Sequence, residues 1–492
     1  MATVARNSAF VLGIQMLLKI LAFLFNVYVV RRLGAVHFGR YAAVMAYVTI
    51  FAIFTDWGMS PYAVREMAQD RRKTAELLPN IIAIRGMLSL VIIVIAPLSA
   101  LWLGKEGDMV WGILIASVGL LLYAFQGPLD SALTARERLD YTSTFGLINQ
   151  LVFWGLGVLL LMSGIGFIGL VIASLVGVAV AGLLSGWTLF RLGVGKLTLT
   201  VHHWPQLLLA ALPFGVSGIA YVFMQRFDTV LMSFILTDAA VGWYNVPWTL
   251  LNMVLLIAQS IAIAMYPSLV RSHKESPESL PRVVWKSIKY LLIVCLPIVV
   301  GGTVLAHRII ITLYEDTFFN SIPVLQMVLW ALPSLFLLEL LGRVANTLHL
   351  ERPAARINVI NAAITVLLNL ILVPVWGILG AALALVAGRT IRLAQYWHLI
   401  GNERLVGRHR DAVWRIVASV VVMGVVVYLA ESALARLPAF AAADSWQGLL
   451  ALIGIGALTY LVTLLASGGL ERQEIAFLRR MVTARWVRSD TR

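Results

Sequence analysis

Residues 143–190 read STFGLINQLVFWGLGVLLLMSGIGFIGLVIASLVGVAVAGLLSGWTLF, without a single Lys, Arg, Asp or Glu. The flanks, 143–164 and 167–190, are each about long enough to cross a hydrocarbon layer of about 30 Å as an α-helix. Gly164 and Gly166 between them leave room only for a tight helical hairpin. Similar apolar runs recur along the whole chain, at 8–30, 41–60, 79–103, 110–134, 207–236, 240–268, 287–307, 322–349, 355–374, 378–400, 412–432 and 447–467. The expectation is therefore an all-α polytopic membrane protein of about 14 spans. Further tight hairpins fall near 238 and 376.

Composition agrees with that patterning. Of 492 residues, 60% are hydrophobic and 13% charged, with a mean hydropathy of +0.89, whereas an ordinary globular domain is about 25% charged. No stretch between the runs is long enough to fold as a separate domain. The net charge of +14 sits at helix ends and short loops and forms no continuous stripe, which argues against a nucleic-acid partner. Cys295 is the only cysteine, so intrachain disulfides and thiolate metal sites are excluded, and no metal or cofactor is expected. The first run contains Lys19 and lacks a small-residue cleavage site, as a retained first span would.

Orientation follows from Lys and Arg, which are enriched in cytoplasmic loops. With the amino terminus inside, about 27 of the 38 fall on the inner side. Arg65, Arg71, Arg72 and Lys73 share one inner loop, and Arg271, Lys274, Arg282, Lys286 and Lys289 another. The outer side holds Arg31, Arg32, Arg40, Lys105, Arg308 and Arg436, and its first loop runs against the trend. Both termini are thus expected in the cytoplasm and the chain in the plasma membrane, which in a Gram-negative bacterium would be the inner membrane. All outer loops are short, which leaves little room for a glycan polymerase or glycosyltransferase site.

Three motifs repeat in order at nearly one offset. Gly39-Arg40-Tyr41 returns about 203 residues later as Gly242-Trp243-Tyr244, and Gly166-Phe167-Ile168-Gly169 about 211 later as Gly377-Ile378-Leu379-Gly380. Glu137-Arg138 matches Glu351-Arg352. A repeat of six spans predicts two six-helix lobes related by a pseudo-two-fold along the membrane normal, plus two C-terminal helices. The expected division is 1–192 and 207–402 for the lobes, 193–206 for a cytoplasmic linker, 403–470 for the extra helices and 471–492 for a basic tail.

Polar side chains in hydrocarbon are costly, so they face a partner or a wet cavity. Helical spacing puts Gln15, Lys19 and Asn26 on one stripe of span 1 and Ser217, Tyr221, Gln225 and Asp228 on one stripe of span 7. Asn245, Thr249, Asn252 and Gln259 on span 8, and Asn358, Asn361, Thr365 and Asn369 on span 11, suit hydrogen bonding between helices as well as cavity lining. Lys19 lies about 16 Å from the inner end, too deep for easy snorkelling. Arg226 and Asp228, two apart, point to different sides of their helix. Arg85 is shallow enough to snorkel, Asp56 suits an interfacial cap or a gate with Arg65 and Glu66, and Arg389 and Arg392 fit cavity lining or snorkelling. Glu339, Arg343 and Asn346 form a self-satisfying set. Pro213, Pro247, Pro297 and Pro333 interrupt spans 7 to 10. No Walker loop, HExxH or GxSxG occurs, so enzymatic activity is not expected.

Several of these stretches resemble the oligosaccharide flippases of polysaccharide biosynthesis. Arg32-Leu33-Gly34 with Phe38-Gly39-Arg40-Tyr41 is similar to their signature after the first helix, as is Asp56-Trp57-Gly58-Met59 with Val64-Arg65-Glu66. Leu212-Pro213-Phe214-Gly215, Arg226-Phe227-Asp228-Thr229-Val230 and Gly242-Trp243-Tyr244-Asn245 resemble the start of the second half, and Pro374, Gly377 and Gly380-Ala381-Ala382 the turn between spans 11 and 12. The resemblance covers nearly the whole chain and is weakest after residue 405. It implies a Wzx-like flippase of the multidrug/oligosaccharidyl-lipid/polysaccharide exporter superfamily, moving undecaprenyl-diphosphate-linked sugar units to the outer leaflet for O-antigen or exopolysaccharide. Partners would be that lipid-linked oligosaccharide, membrane lipids, and polymerase or assembly proteins. Lys19, Arg85 and Arg226 are expected to form a cationic wall for the diphosphate. Gln15, Asn26, Tyr221, Gln225, Asn252 and Asn361 would line the cavity, and Asp228 would couple to an ion. The rivals are a multidrug exporter, a peptidoglycan-precursor (lipid II) flippase, and a membrane-embedded polymerase.

Overall fold

The computed structural model describes residues 2–105, 107–193, 197–401, 410–434 and 445–469, with side chains from Leu18 onward and, in the fourth stretch, from Val413. Among the described residues there are helices and no strands. They are α1 (Ala2–Asp56), α2 (Met59–Gln69), α3 (Thr74–Trp102), α4 (Asp108–Ala135), α5 (Leu139–Met162), α6 (Phe167–Arg191), α7 (Trp204–Ile235) and α8 (Asp238–Glu275). Then follow α9 (Leu280–Val304), α10 (Ala306–Tyr314), α11 (Ser321–Leu329), α12 (Leu332–Thr347), α13 (Glu351–Ile400), α14 (Arg410–Leu434) and α15 (Trp446–Ala466). Among the described residues, eleven helices are long and apolar enough to cross a membrane, or twelve with α11 and α12, bent by 41°, taken as one span. The chain is a multi-pass α-helical membrane protein.

Two long helices are each broken once, α1 at Gly34 (φ 68°, ψ 177°) and α13 at Gly377 (φ 57°, ψ −132°). Backbone with φ in that range strains any residue carrying a Cβ, so glycine is the residue that lets the chain reverse there. Pro213, Pro247 and Pro297 lie inside continuous helices, where neighbouring groups in a membrane tolerate them. Pro333 instead opens α12 just after the bend, a position where its missing N–H costs nothing.

The chain divides into two compact units, Met1–Val246 with Asn358–Ala384, and Pro247–Ile357 with Leu385–Arg492. In the first, α2 is short and amphipathic. Met59, Ala63 and Met67 are fully buried while Arg65, Ala68 and Gln69 face outward, the four-residue spacing of one helix face. That face packs with Leu78, Ile81 and Ile84 of α3, Leu129 and Leu133 of α4, and Ala211 of α7. In the second unit α14 and α15 are packed with α9 through Ile416, Val420, Met423, Leu452 and Tyr460. The Tyr460 hydroxyl donates to the Ile293 carbonyl at 2.8 Å, and buried Arg308 of α10 pairs with Glu431 of α14 at 3.3 Å.

One of the motif repeats coincides with repeated backbone. Gly166 and Gly377 share φ of 69° and 57° with ψ of −149° and −132°. The turn after α4 carries Glu137 at φ 61° and the turn after α12 carries His349 at φ 56°, two residues before Glu351, so the Glu-Arg match is offset from the backbone repeat. Within the first unit Gly39 and Gly242 meet each other's helices. A Cβ on Gly39 would lie 1.8 Å from the Asp238 carbonyl oxygen, and one on Gly242 would lie 2.2 Å from that of Ala35.

Candidate functional site

Arginine inside an apolar bundle must find an anion and hydrogen-bond acceptors, because stripping its water costs several kcal/mol. Arg85 of α3 is 6% exposed. It does not snorkel. Its Nη1 lies 2.9 Å from Asp56 Oδ1 at the end of α1 and donates to Ser60 Oγ of α2 at 2.9 Å. The Ser60 hydroxyl in turn donates to Asp56. Arg85 Nε is buried with no hydrogen-bond partner. Gly127 of α4 makes room for the guanidinium, since a Cβ there would sit 2.6 Å from Nη1.

The pair stands on the wall of a cavity of about 400 Å³ in the first unit. Met45, Thr49 and Ile53 of α1 line it with Leu120 and Tyr123 of α4, Ser174 of α6 and Val222 of α7. The volume lies within the range of about 300–1,000 Å³ usual for small-molecule sites. The cavity is thus mostly apolar, with one guanidinium, one carboxylate and a few hydroxyls. Among the described residues, a larger hollow of about 650 Å³ in the second unit is bounded by residues of α13 and by Gly401 just past it, and the buried ion pair makes the smaller cavity the better site.

Arg226 of α7 is half-buried and forms no hydrogen bond or ion pair among the described residues. It lies within electrostatic reach of Tyr41, as does the cavity residue Tyr123. Lys19 is exposed on the first arm of α1. Asn26 is half-buried and its Oδ1 has no hydrogen-bond partner. The Gln15 side chain falls outside the described residues. Tyr221 is exposed and Gln225 half-buried, while Asn361 of α13 is fully buried. Asn252 lies in the second unit, its amide donating to the Trp248 carbonyl at 2.8 Å.

Asp228 is 8% exposed. One oxygen accepts from the Thr229 backbone N–H at 2.6 Å and the other from the Tyr244 hydroxyl of α8 at 2.5 Å. Both oxygens are engaged. Of the remaining expected gate residues, Glu66 pairs with Lys73 at 2.5 Å, and the Arg65 side chain is 61% exposed. At the far end of α1's second arm, Arg40 Nε meets Asp238 at 2.7 Å and its Nη1 lies 3.5 Å from Asp108. Two carboxylates thus offset one of the three arginines of the loop expected on the outer side.

Sequence reading missed several contributors. Ser60, Gly127 and Tyr123 gave no spacing signal, because their roles depend on which helices meet. Asp130 is different: it is a charged residue inside the fourth apolar run, visible in the sequence and overlooked.

Residues 4–273 match the family described as polysaccharide biosynthesis protein. A relative from Haloferax volcanii, named a probable low-salt glycan biosynthesis flippase, is 24% identical over 408 residues, 82% of this chain and 85% of its own. A second relative, from Escherichia coli K12 and provisionally named an O-antigen transporter, is 22% identical over 81% of this chain and 96% of its own. Among solved structures, the lipid II flippase MurJ in an inward closed conformation superposes with a TM-score of 0.72, at 15% identity, over 92% of this chain and 98% of that one. At that identity the likeness is one of fold.

Proposed function

The chain belongs to the family of polysaccharide biosynthesis proteins, and we propose that it is a flippase for undecaprenyl-diphosphate-linked oligosaccharides. It carries them from the inner to the outer leaflet of the plasma membrane for O-antigen or exopolysaccharide assembly, with both chain termini in the cytoplasm. The observation that carries this reading is the buried Arg85–Asp56 pair on the cavity, in a chain whose relatives bear glycan-flippase and O-antigen-transporter names. Counting the arms on either side of Gly34 and Gly377 separately adds two crossings to the twelve and supports fourteen.

Glycan hydroxyls dragged through hydrocarbon would lose hydrogen bonds at a cost of several kcal/mol each. A polar passage replaces them while the prenyl tail stays in lipid. In this reading Asp56 holds Arg85 while no substrate is present, and a diphosphate takes its place by offering more acceptor oxygens to the same guanidinium. Arg226 extends the cationic wall, and Lys19 serves the approach to it. Asp228, fixed by Tyr244, joins α7 to α8. A cavity of about 400 Å³ suits a headgroup's phosphates and not a whole oligosaccharide, so transport requires opening. The repeat of six spans supports a rocking, alternating-access movement.

The test is reconstitution in liposomes with a fluorescent, short-chain polyprenyl-diphosphate oligosaccharide. Protein-dependent appearance of the label in the opposite leaflet supports the reading. Failure there, together with rescue of a strain depleted of its lipid II flippase, would replace it with the peptidoglycan-precursor reading that the fold also fits.

A further inference from the structure

Asp130 of α4 is a carboxylate inside a membrane span with no ion pair among the described residues. Its Oδ1 accepts from the Ser185 hydroxyl of α6 at 2.8 Å, and its Oδ2 from the Gln126 amide, one turn earlier on α4, at 3.2 Å. Gln126 is only 8% exposed, and its Oε1 is buried without a hydrogen-bond partner among the described residues.

The charges on the surrounding elements are engaged elsewhere or turned outward. Arg85 of α3 is held by Asp56 of α1. On α2, Arg65 is exposed and Glu66 is paired with Lys73. Arg191 of α6 lies over the Trp187 ring at 3.8 Å. Arg138 and Asp140, at the start of α5, pair with each other at 3.0 Å. Arg136, just past the end of α4, reaches the Leu192 carbonyl at 3.4 Å.

A lone carboxylate in low dielectric is costly unless something neutralises it. Two hydroxyl or amide donors offset part of that cost but carry no charge. A proton removes the charge altogether. The protonated carboxyl gains an O–H donor, and the Gln126 amide, turned half a rotation, presents the acceptor that is now without a partner. The hydrogen bond between the two side chains is then kept in both forms: a carboxylate facing the amide NH₂, and a carboxylic acid facing the amide oxygen. We infer that Asp130, Gln126 and Ser185 form a reversible proton-binding site that couples transport to the proton gradient. Asp130 lies five residues before the end of α4, about 7 Å along its axis, so the proton comes from the side on which α2 lies. The coupling role rests on the proposed transport function; the binding of the proton does not.

The full-length protein in lipid nanodiscs is titrated with acid while the carboxyl stretching band is followed by infrared difference spectroscopy. The wild type is expected to show a titrating carboxyl signal that Asp130→Asn, an isosteric change, removes. Ser185→Ala, which deletes a donor to the charged form, is expected to move the midpoint to higher pH. A difference spectrum unchanged in Asp130→Asn overturns the site, as does a signal that appears with sodium and not with potassium at fixed pH. In liposomes, Asp130→Asn is expected to flatten the pH dependence of transport. An unaltered pH profile beside a lost infrared signal overturns the coupling role alone. Absence of transport by the wild type counts against the proposed function and leaves the titration to decide the site.

Discussion

Replacing Arg85 by alanine removes a charge that the fold has already stripped of most of its water. Hydrogen bonds to charged groups are worth about 1.5–3 kcal/mol, so lipid-linked sugar transport is expected to fall on the order of 10- to 100-fold. Arg85→Lys keeps the charge and loses the planar fork, and an intermediate rate is expected in the same liposome assay. Gly127→Ala tests the position of the group, not its charge. The added methyl would lie 2.6 Å from Nη1, and the flexible guanidinium can yield. Melting close to wild type with transport reduced severalfold is expected; unchanged transport would show that the placement is unimportant. The sequence displayed Arg85 and Asp56 as two separate puzzles, one a snorkelling candidate and one a cap. Helical spacing reports which side chains share a face of one helix. It is silent on pairs that meet across helices, such as 56 with 85, 126 and 130 with 185, or 228 with 244.

Helices make the same point in the opposite direction. Gly39 and Gly242 were legible as marks of a repeat, because equal letters at an equal offset need no structure to be seen. That each glycine lies against the other's backbone was not legible. Gly39→Ala would place a methyl 1.8 Å from a carbonyl oxygen held in a helix, which cannot rotate away. Overpacking of this kind costs about 1–3 kcal/mol, and a lower melting temperature in detergent is the expected result. Gly86→Ala, with nothing near its Cβ, is the control and should melt like the wild type. The long spans were readable because twenty apolar residues in a row have few other uses. Helices α2 and α10, of 11 and 9 residues, were not, being too short and too mixed for a hydropathy reading and defined by what they pack against.

At the scale of the whole chain, the bias of Lys and Arg gives an orientation that a chemical label can check. Cys295 is the only cysteine and is buried, so Cys295→Ser provides a clean background for single cysteines. A cysteine at exposed Gly107 is expected to react with an impermeant maleimide in intact cells, and one at exposed Gln69 only after lysis. The reverse pattern would invert the proposed direction of transport. The loop that opposed the charge rule now has a partial explanation, because Arg40 is offset by Asp108 and Asp238. The fold class was evident from hydropathy alone, whereas the substrate class needed the family. The last two helices deserve a different valuation from the one their position outside the repeat suggests. Since Glu431 supplies a counter-charge to buried Arg308 and Tyr460 clasps the backbone of α9, a pruned variant ending near residue 409 would be a broken protein and not a smaller transporter.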